Sequence, residues 1–277
     1  MKIVYIAFEF PYPPNHGGRK DTWNRIVALK SEGVDVHLIT WVRKTGGVSQ
    51  DKAFVDYVKE NVNSLNLLPL KNVFTRITGM IKSPYHVSAR RLSKLKYNEI
   101  IGGIKKIKPD LIFIDGIYGG DLGYKIASEL DCKVGVRLHN VEYKYMAGQF
   151  KLARTLREKI SIGLSLIHLK RYEENVIMKA TAFFDISIQD LQFRKAMGMN
   201  HGYWLPPIFI AKDDLHKECN REGEYDLCYF GNLFTPNNLE GLKWFINFVF
   251  PELVKQIDNI NILIMGSNPS KEFIELC

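Results

Sequence analysis

The chain has 277 residues, 46% hydrophobic and 25% charged, which is enough for one large core or for one domain and part of another. No stretch reaches the eighteen or so consecutive apolar residues of a transmembrane helix, and Met1–Phe10 lacks the basic region and cleavage site of a signal peptide. A cytoplasmic globular protein is therefore expected. The four cysteines, Cys132, Cys219, Cys228 and Cys277, form no CxxC pair and no metal-ligand spacing with the histidines, so they read as reduced and mostly buried.

The net charge of +8 would suit a nucleic acid, an anionic membrane or a phosphorylated substrate, and its distribution says more than its size. Residues 71–98 contain no acid. Lys71, Arg76, Lys82, Arg90, Arg91, Lys94 and Lys96 there alternate with Phe74, Ile77, Met80, Ile81, Tyr85 and Leu92. An anionic membrane surface and a plain solvated insert both fit that pattern. Nucleic acid fits less well, because no basic recognition helix or RNA-binding signature is present.

In chain order, Lys2–Phe8 is nearly all apolar, as a strand buried on both faces should be. The Pro- and Gly-rich stretch Pro11–Gly18 follows. Trp23, Ile26, Val27 and Lys30 then keep helical spacing up to Gly33, and a second strand begins at Val34–Thr40. The alternation continues with a helix near Asp51–Asn61, strands near Asn66–Pro69 and at Leu111–Asp115, a helix at Asp121–Leu130 and a strand at Lys133–Leu138. Lys151–Ala180 predicts one interrupted helix or two consecutive ones, with Leu152, Leu156, Ile160, Gly163 and Ile167 on one face. A strand at Ala182–Ser187, a short helix from Gln189 and a segment Gly202–Leu205 lead to Pro206–Pro207, which reads as a linker.

A new α/β pattern then starts. A strand at Tyr225–Phe230 ends on Gly231, a helix carries Leu239, Leu242, Ile246, Val249, Leu253 and Ile257 on one face, and a strand at Asn261–Met265 ends on Gly266. The fold class is thus α/β: a Rossmann-like doubly wound domain over residues 1–205, then a linker and an incomplete Rossmann-like domain over 206–277. Two strands do not complete such a sheet, so a shortened second domain is expected, with its apolar helix face available for self-association into a homo-oligomer.

Several residues carry chemistry. His16-Gly17-Gly18-Arg19 lies between a strand and a helix, where bare backbone amides and the helix N-terminus can receive a phosphate and Arg19 can reinforce them. A plain turn that needs glycine at positive φ is the alternative. No acid closes the second strand, where Ile39-Thr40-Trp41 stands, which argues against a dinucleotide-dependent dehydrogenase. His139 follows an apolar strand and so falls at the carboxyl edge of a parallel sheet, within reach of a ligand hydroxyl; a core or capping histidine is the other reading. Asn140 and Glu142 are placed to orient it or an acceptor, and Glu142 equally to cap a helix. Asp115, before Gly116, is a candidate for acceptor hydroxyls or a helix cap. Asp190 reads as a cap. No Asp-x-Asp triplet occurs, so a metal-bound sugar nucleotide has no ligand set here, and neither a metal nor an organic cofactor is expected.

Four stretches resemble one family, the retaining GT-B glycosyltransferases of the large group-1 class, called family four. They are the opening KIVYIAFEFPYPPNHGGRKDTWNRIVALKSEGVDVHLIT, RLHNVE at Arg137–Glu142, KRYEENVIMKATAFFDISIQD, and YFGNLFTPNNLEGLKWFINFVFPEL followed by ILIMGSNP. The resemblance covers nearly the whole chain and lies especially with sugar transferases of surface polysaccharides.

It implies transfer of a sugar, with retention, from a nucleoside-diphosphate sugar to a glycan or lipid-linked acceptor at the cytoplasmic membrane. It implies His139 as the catalytic residue near the donor sugar, and Gly17, Gly18 and Arg19 at the donor phosphates. His16, Asp115, Asn140 and Glu142 would meet acceptor or sugar, and Gly231, Asn232, Asn237 and Asn238 form the donor-domain loop. Many members carry Arg and Lys in that loop where this chain has asparagine. The glutamate pair expected further along the donor domain lies beyond Cys277, so the chain reads as inactive alone, and a non-catalytic acceptor-binding or scaffold subunit stands as the alternative.

Overall fold

The computed structural model describes residues 1–43, 51–81, 83–153, 155–209, 225–233, 236–267, 269 and 271–274. Lys82, Arg154, the polar stretch 211–223, Cys219, Phe234, Thr235 and Cys277 lie outside them. The chain divides into two units, one of Met1–Ala147 with Ile160–Ile210, the other of Gly148–Lys159 with Ala211–Cys277.

The first half of the larger unit runs β1 (Lys2–Ala7), α1 (Gly17–Ser31), β2 (Asp35–Val42), α2 (Lys52–Glu60) and β3 (Ser64–Pro69). Three helices follow, α3 (Val73–Gly79), α4 (Tyr85–Ser88) and α5 (Lys94–Ile107), then β4 (Leu111–Asp115), α6 (Gly120–Leu130) and β5 (Lys133–Leu138). Next come α7 (Glu142–Leu152) and α8 (Leu156–Leu166), which share Gly148–Lys159 with the smaller unit, then α9 (Leu169–Met178), β6 (Ala182–Asp185), α10 (Ile188–Ala196) and β7 (Gly202–Trp204).

The seven strands form one all-parallel sheet in the order β3-β2-β1-β4-β5-β6-β7. Alternate residues of each strand supply two cores. Ile3, Tyr5, Val36, Leu38 and Phe113 meet Trp23 and Ile26 of α1 and Val58 of α2 on one face. Val4, Ile6, Ile39, Ile112 and Ile114 meet residues of α5, α6, α9 and α10 on the other. Burial on both faces is why these strands read as continuous apolar runs. The winding reverses between β1 and β4, and the carboxyl edge at such a reversal is where open α/β sheets bind ligands.

The helical stretch predicted over Lys151–Ala180 forms two consecutive helices, one of the two expected arrangements. His168 takes a left-handed backbone at φ 63° and separates α8 from α9. Leu156 and Ile160 of the expected apolar face are exposed, at 75% and 55%, and it is α9 that packs on the core, through Leu169, Val176 and Ile177.

In the smaller unit β8 (Leu227–Asn232) pairs in parallel with β9 (Ile262–Ser267), and α11 (Pro236–Trp244), α12 (Phe250–Val254) and α13 (Lys271–Ile274) complete it. A π-helical turn, Phe245–Val249, joins α11 to α12 just before Pro251. A proline ring clashes with the carbonyl four residues back and donates no amide, which accounts for the local rearrangement. The core is small: Leu233, Leu242 and Phe273 are buried, with Leu239 and Ile246 against them, while Ile257 of the predicted face is exposed. Cys228 is exposed rather than buried, since it sits on the alternate side of β8 from its packed residues. Among the described residues no helix is long and apolar enough to cross a membrane.

Candidate active site

A cavity of about 710 Å³ opens in the larger unit at the carboxyl edge of the sheet, against the ends of β1, β4 and β5. Gly17 and Gly18 wall one side. They are the first two residues of α1, at neither of which φ is positive, so the turn reading of these glycines does not hold. First-turn amides have no carbonyl to bond within their helix. A Cβ at Gly17 would meet nothing within 4 Å, so the space beside this backbone is open. His16 caps the helix, its Nδ1 accepting from the Arg19 amide at 3.4 Å, and its Nε2 stands 3.2 Å from Glu9.

Arg19 does not join this cavity. Its Nε and Nη2 donate to Glu9 Oε2 at 3.1 and 3.0 Å, and that attraction turns the guanidinium away from the glycine amides. Burial raises the Glu9 pKa, but hydrogen bonding from His16 and the charge of Arg19 outweigh it and hold the carboxyl below its ordinary value.

His139 lines the opposite wall with Leu138, Asn140 and Glu142. Its Nε2 donates to Asp115 Oδ1 at 2.8 Å. Asp115 itself is fully buried and so touches no acceptor and caps no helix, contrary to both sequence expectations. It accepts from Tyr5 Oη and Thr22 Oγ1, each at 2.7 Å, and from Arg137 Nη1 at 3.4 Å. Arg137 is also fully buried and pairs through Nη2 with Asp21 of α1. Asp21 Oδ2 stands 4.0 Å from His139 Nδ1, and Oδ1 3.8 Å from Arg25.

A histidine at the cavity wall thus rests on a floor of two carboxylates and two guanidiniums. Burial disfavours the imidazolium, but the charge and hydrogen bond of Asp115 prevail and raise the His139 pKa. Burial likewise raises Asp115, and His139, Arg137 and Tyr5 overcome it and hold the carboxyl far below the ordinary range.

The loop carrying His139 is fastened from behind. Glu173 of α9 accepts from the amides of Glu142 and Tyr143, both at 3.0 Å, and so caps α7 in place of a local residue. Arg194 of α10 donates to Glu173 at 2.8 Å, to the Asn140 carbonyl at 2.9 Å and to Asp185 at 3.2 Å. Glu142 itself accepts from Tyr118 Oη at 2.7 Å, and its burial pushes its pKa up. Asp190 does not cap α10; Ser187 does, accepting from the Asp190 amide at 3.2 Å.

His16, Gly17, Gly18, His139, Asn140 and Glu142 therefore meet in one cavity, while Asp115 lies beneath it and Arg19 beside it. Asp21, Arg137, Glu173 and Arg194 were not singled out from the sequence. Arg137 and Glu173 stand within the resembling stretches, and a charged residue in an otherwise apolar strand was the available signal. In the smaller unit Gly231 and Asn232 belong to β8 rather than to a loop after it, and Asn238 Nδ2 donates to the Asn232 carbonyl at 3.0 Å. A Cβ at Gly266 would meet the Gly231 carbonyl at 2.1 Å, so close strand approach explains that glycine.

No protein-family profile matches the chain. A Klebsiella pneumoniae protein, described as an uncharacterized 44.6 kDa protein in cps region, is 29% identical over 278 aligned positions, which cover 96% of this chain and 65% of that one. Among solved structures, the lipopolysaccharide outer core galactosyltransferase WaaB in its apo form matches with a TM-score of 0.55 at 11% identity, over 100% of this chain and 63% of that chain. Sucrose-phosphate synthase from Thermosynechococcus elongatus matches at 0.54 and 14%, over 99% and 65%. The chain spans about two thirds of the length of these proteins. Its fold is that of the GT-B glycosyltransferases, and the seven-stranded unit is a Rossmann-like sheet of that type.

Proposed function

We propose that the chain is the acceptor-side portion of a glycosyltransferase that moves a sugar from a nucleoside-diphosphate sugar to a polysaccharide or lipid-linked acceptor. The observation that carries this reading is the shared cavity of the α1 amides and His139 at the reversal point of the sheet. The relative in a cps region and the fold of a lipopolysaccharide galactosyltransferase support a surface-polysaccharide acceptor.

In this reading the amides of Gly17 and Gly18 receive the donor diphosphate, and His139, its positive form favoured by Asp115, stabilises charge that grows on it as the sugar leaves. His16, Asn140 and Glu142 orient hydroxyls of sugar and acceptor. Arg19 acts only through Glu9 and His16. Transfer proceeds with retention and without a metal: the acceptor attacks on the face the diphosphate leaves, and the leaving phosphate takes its proton. The donor-side groups come from Gly231 and Asn232 at the end of β8 and from Asn237 and Asn238 at the start of α11. The enzyme works at the inner face of the membrane, where the basic segment 71–98 meets anionic lipid. Val73, Phe74, Ile77 and Ile81 are exposed there, although Met80 is buried and Leu92 packs on the core.

The test is saturation-transfer NMR and a radiolabel assay with a panel of sugar nucleotides and a bacterial membrane extract, with and without EDTA. Sugar transfer by the full-length protein should fall in His139→Ala while the donor's saturation-transfer signal persists, and wild-type transfer should be unaffected by EDTA. Acceptor binding with no binding of any nucleotide would instead identify a scaffold subunit.

A further inference from the structure

A second cavity of the larger unit, about 640 Å³, adjoins the first: Phe8, Tyr118 and Glu142 line both. Its character is different. Arg19, Arg43, Arg76 and Arg90 line it, against Glu9 and Glu142 as the only acids of its wall among the described residues. Arg19 and Glu9 neutralise each other at 3.0 Å. Glu142 is held by Tyr118 in a buried setting that favours its neutral form. Among the described residues no carboxylate pairs with Arg43, Arg76 or Arg90, so the cavity keeps an excess of positive charge.

Two of these cations are fixed in place with donors to spare. A guanidinium has five N–H groups. Among the described residues Arg76 commits only Nε, to the Lys71 carbonyl at 2.7 Å, and lies 5.6 Å from the Tyr85 ring centre. Arg90 commits three, to the Phe8 carbonyl at 3.0 and 2.8 Å and to the His86 carbonyl at 2.8 Å, and lies 5.4 Å from the Tyr118 ring. Forks held this way match the oxygens of a phosphate, and their positions are set before any ligand arrives.

We propose that this cavity seats a phosphate or diphosphate group of the acceptor, which makes the acceptor a phosphate-linked glycan carrier rather than a neutral glycan. The inference rests on the glycosyltransferase reading above. An acceptor anchored on Arg43, Arg76 and Arg90 presents its sugar past Tyr118 and Glu142 to the His139 cavity, where the donor sugar is attacked. Arg76 belongs to α3, whose Phe74 and Ile77 are exposed, so a lipid-borne phosphate has a short route from a membrane surface to the cavity.

Calorimetry with inorganic pyrophosphate and with farnesyl diphosphate tests this on the wild-type chain, an Arg43→Gln/Arg76→Gln variant and Gly18→Val, each checked by its melting curve. Arg43 is exposed, so Arg43→Gln alone serves if the double variant melts early. At least tenfold weaker farnesyl diphosphate binding in the arginine variants, with Gly18→Val unchanged, is the expected result. Unchanged binding in the arginine variants, or loss in Gly18→Val alone, overturns the proposal. Tighter binding of farnesyl diphosphate than pyrophosphate assigns the phosphate to a lipid carrier; equal binding assigns it to a water-soluble one, and both support the site. Sugar transfer to a neutral glycan with a KM unmoved by Arg76→Gln would sink this proposal and leave the glycosyltransferase reading intact. Arginine-dependent diphosphate binding without transfer from any donor would do the reverse.

Discussion

The two neighbouring cavities of the larger unit differ in where their charge lies. Beneath His139 the buried charges answer one another: Asp115 pairs with Arg137, and Arg137 with Asp21. Around Arg76 and Arg90 the cations stand in the wall itself, and among the described residues neither pairs with the two acids there, since Glu9 is held by Arg19 and Glu142 by Tyr118. The first arrangement fixes one imidazole opposite the α1 amides and has Lys20 as an exposed cation of its lining. The second recognises by charge. In the proposed reading one sheet edge therefore holds donor and acceptor phosphates on different groups.

The most forceful way to break the comparison is to remove the floor. Asp115→Asn leaves Arg137 buried with half its compensation, and loss of one partner of a buried ion pair costs about 3–5 kcal/mol. Urea unfolding should show that loss, and NMR titration should show the His139 pKa falling; Arg76→Gln, at the rim of the other cavity, should change stability by less than about 0.5 kcal/mol. An Asp115→Asn chain as stable as wild type would mean the floor is not what distinguishes the two sites.

His139→Ala comes next. Removing one preorganised donor to a developing charge lowers turnover about 10²–10³-fold. Melting should move less than in Asp115→Asn, because Tyr5, Thr22 and Arg137 still hold the Asp115 carboxylate. A proportional fall in stability would make His139 a packing residue instead.

Gly18→Val fills the open space beside the α1 amides, where an added Cβ has only the His16 ring at 3.6 Å as neighbour. Donor KM should rise about tenfold, a loss of about 1.4 kcal/mol of binding, with farnesyl diphosphate binding unaltered.

The smallest effect is the pH dependence of folding. His139 has a raised pKa, so its contribution is complete below about pH 6.5 and is lost as pH climbs through the folded value. Asp115 has a lowered pKa, so its contribution is complete above about pH 4 and is lost as pH falls through the folded value. The pair therefore stabilises most between about pH 4 and 6.5. His139→Gln should flatten the alkaline side of the stability curve measured by urea unfolding, and an unchanged curve would show that the imidazole is not charged there.

Much of this was legible in the chain, and the reasons are local. Apolar runs marked β1, β4 and β5, and the carboxyl edge of any parallel sheet collects the loops that follow its strands, so Gly17, Gly18 and His139 could be placed together without a structure. What could not be read is whatever depends on pairing across the chain. Asp21, Asp115 and Arg137 meet only because β1 sits between β2 and β4, and nothing near Asp115 in sequence reveals that Tyr5, Thr22 and His139 surround it. The same lack of context made Arg19 look available when Glu9, ten residues earlier, already held it. It also made Leu156 and Ile160 look like a buried face, since spacing reveals a stripe but not which helix packs on the core.

The capping of α7 by Glu173, itself held by Arg194, has a consequence for synthesis on the ribosome. Gly17, Gly18 and His139 leave the exit tunnel early, but the loop that presents His139 has no anchor until residue 194 has emerged and α10 has docked. Binding competence should therefore switch on abruptly near that length in a series of stalled nascent chains, well after the first five strands have been made.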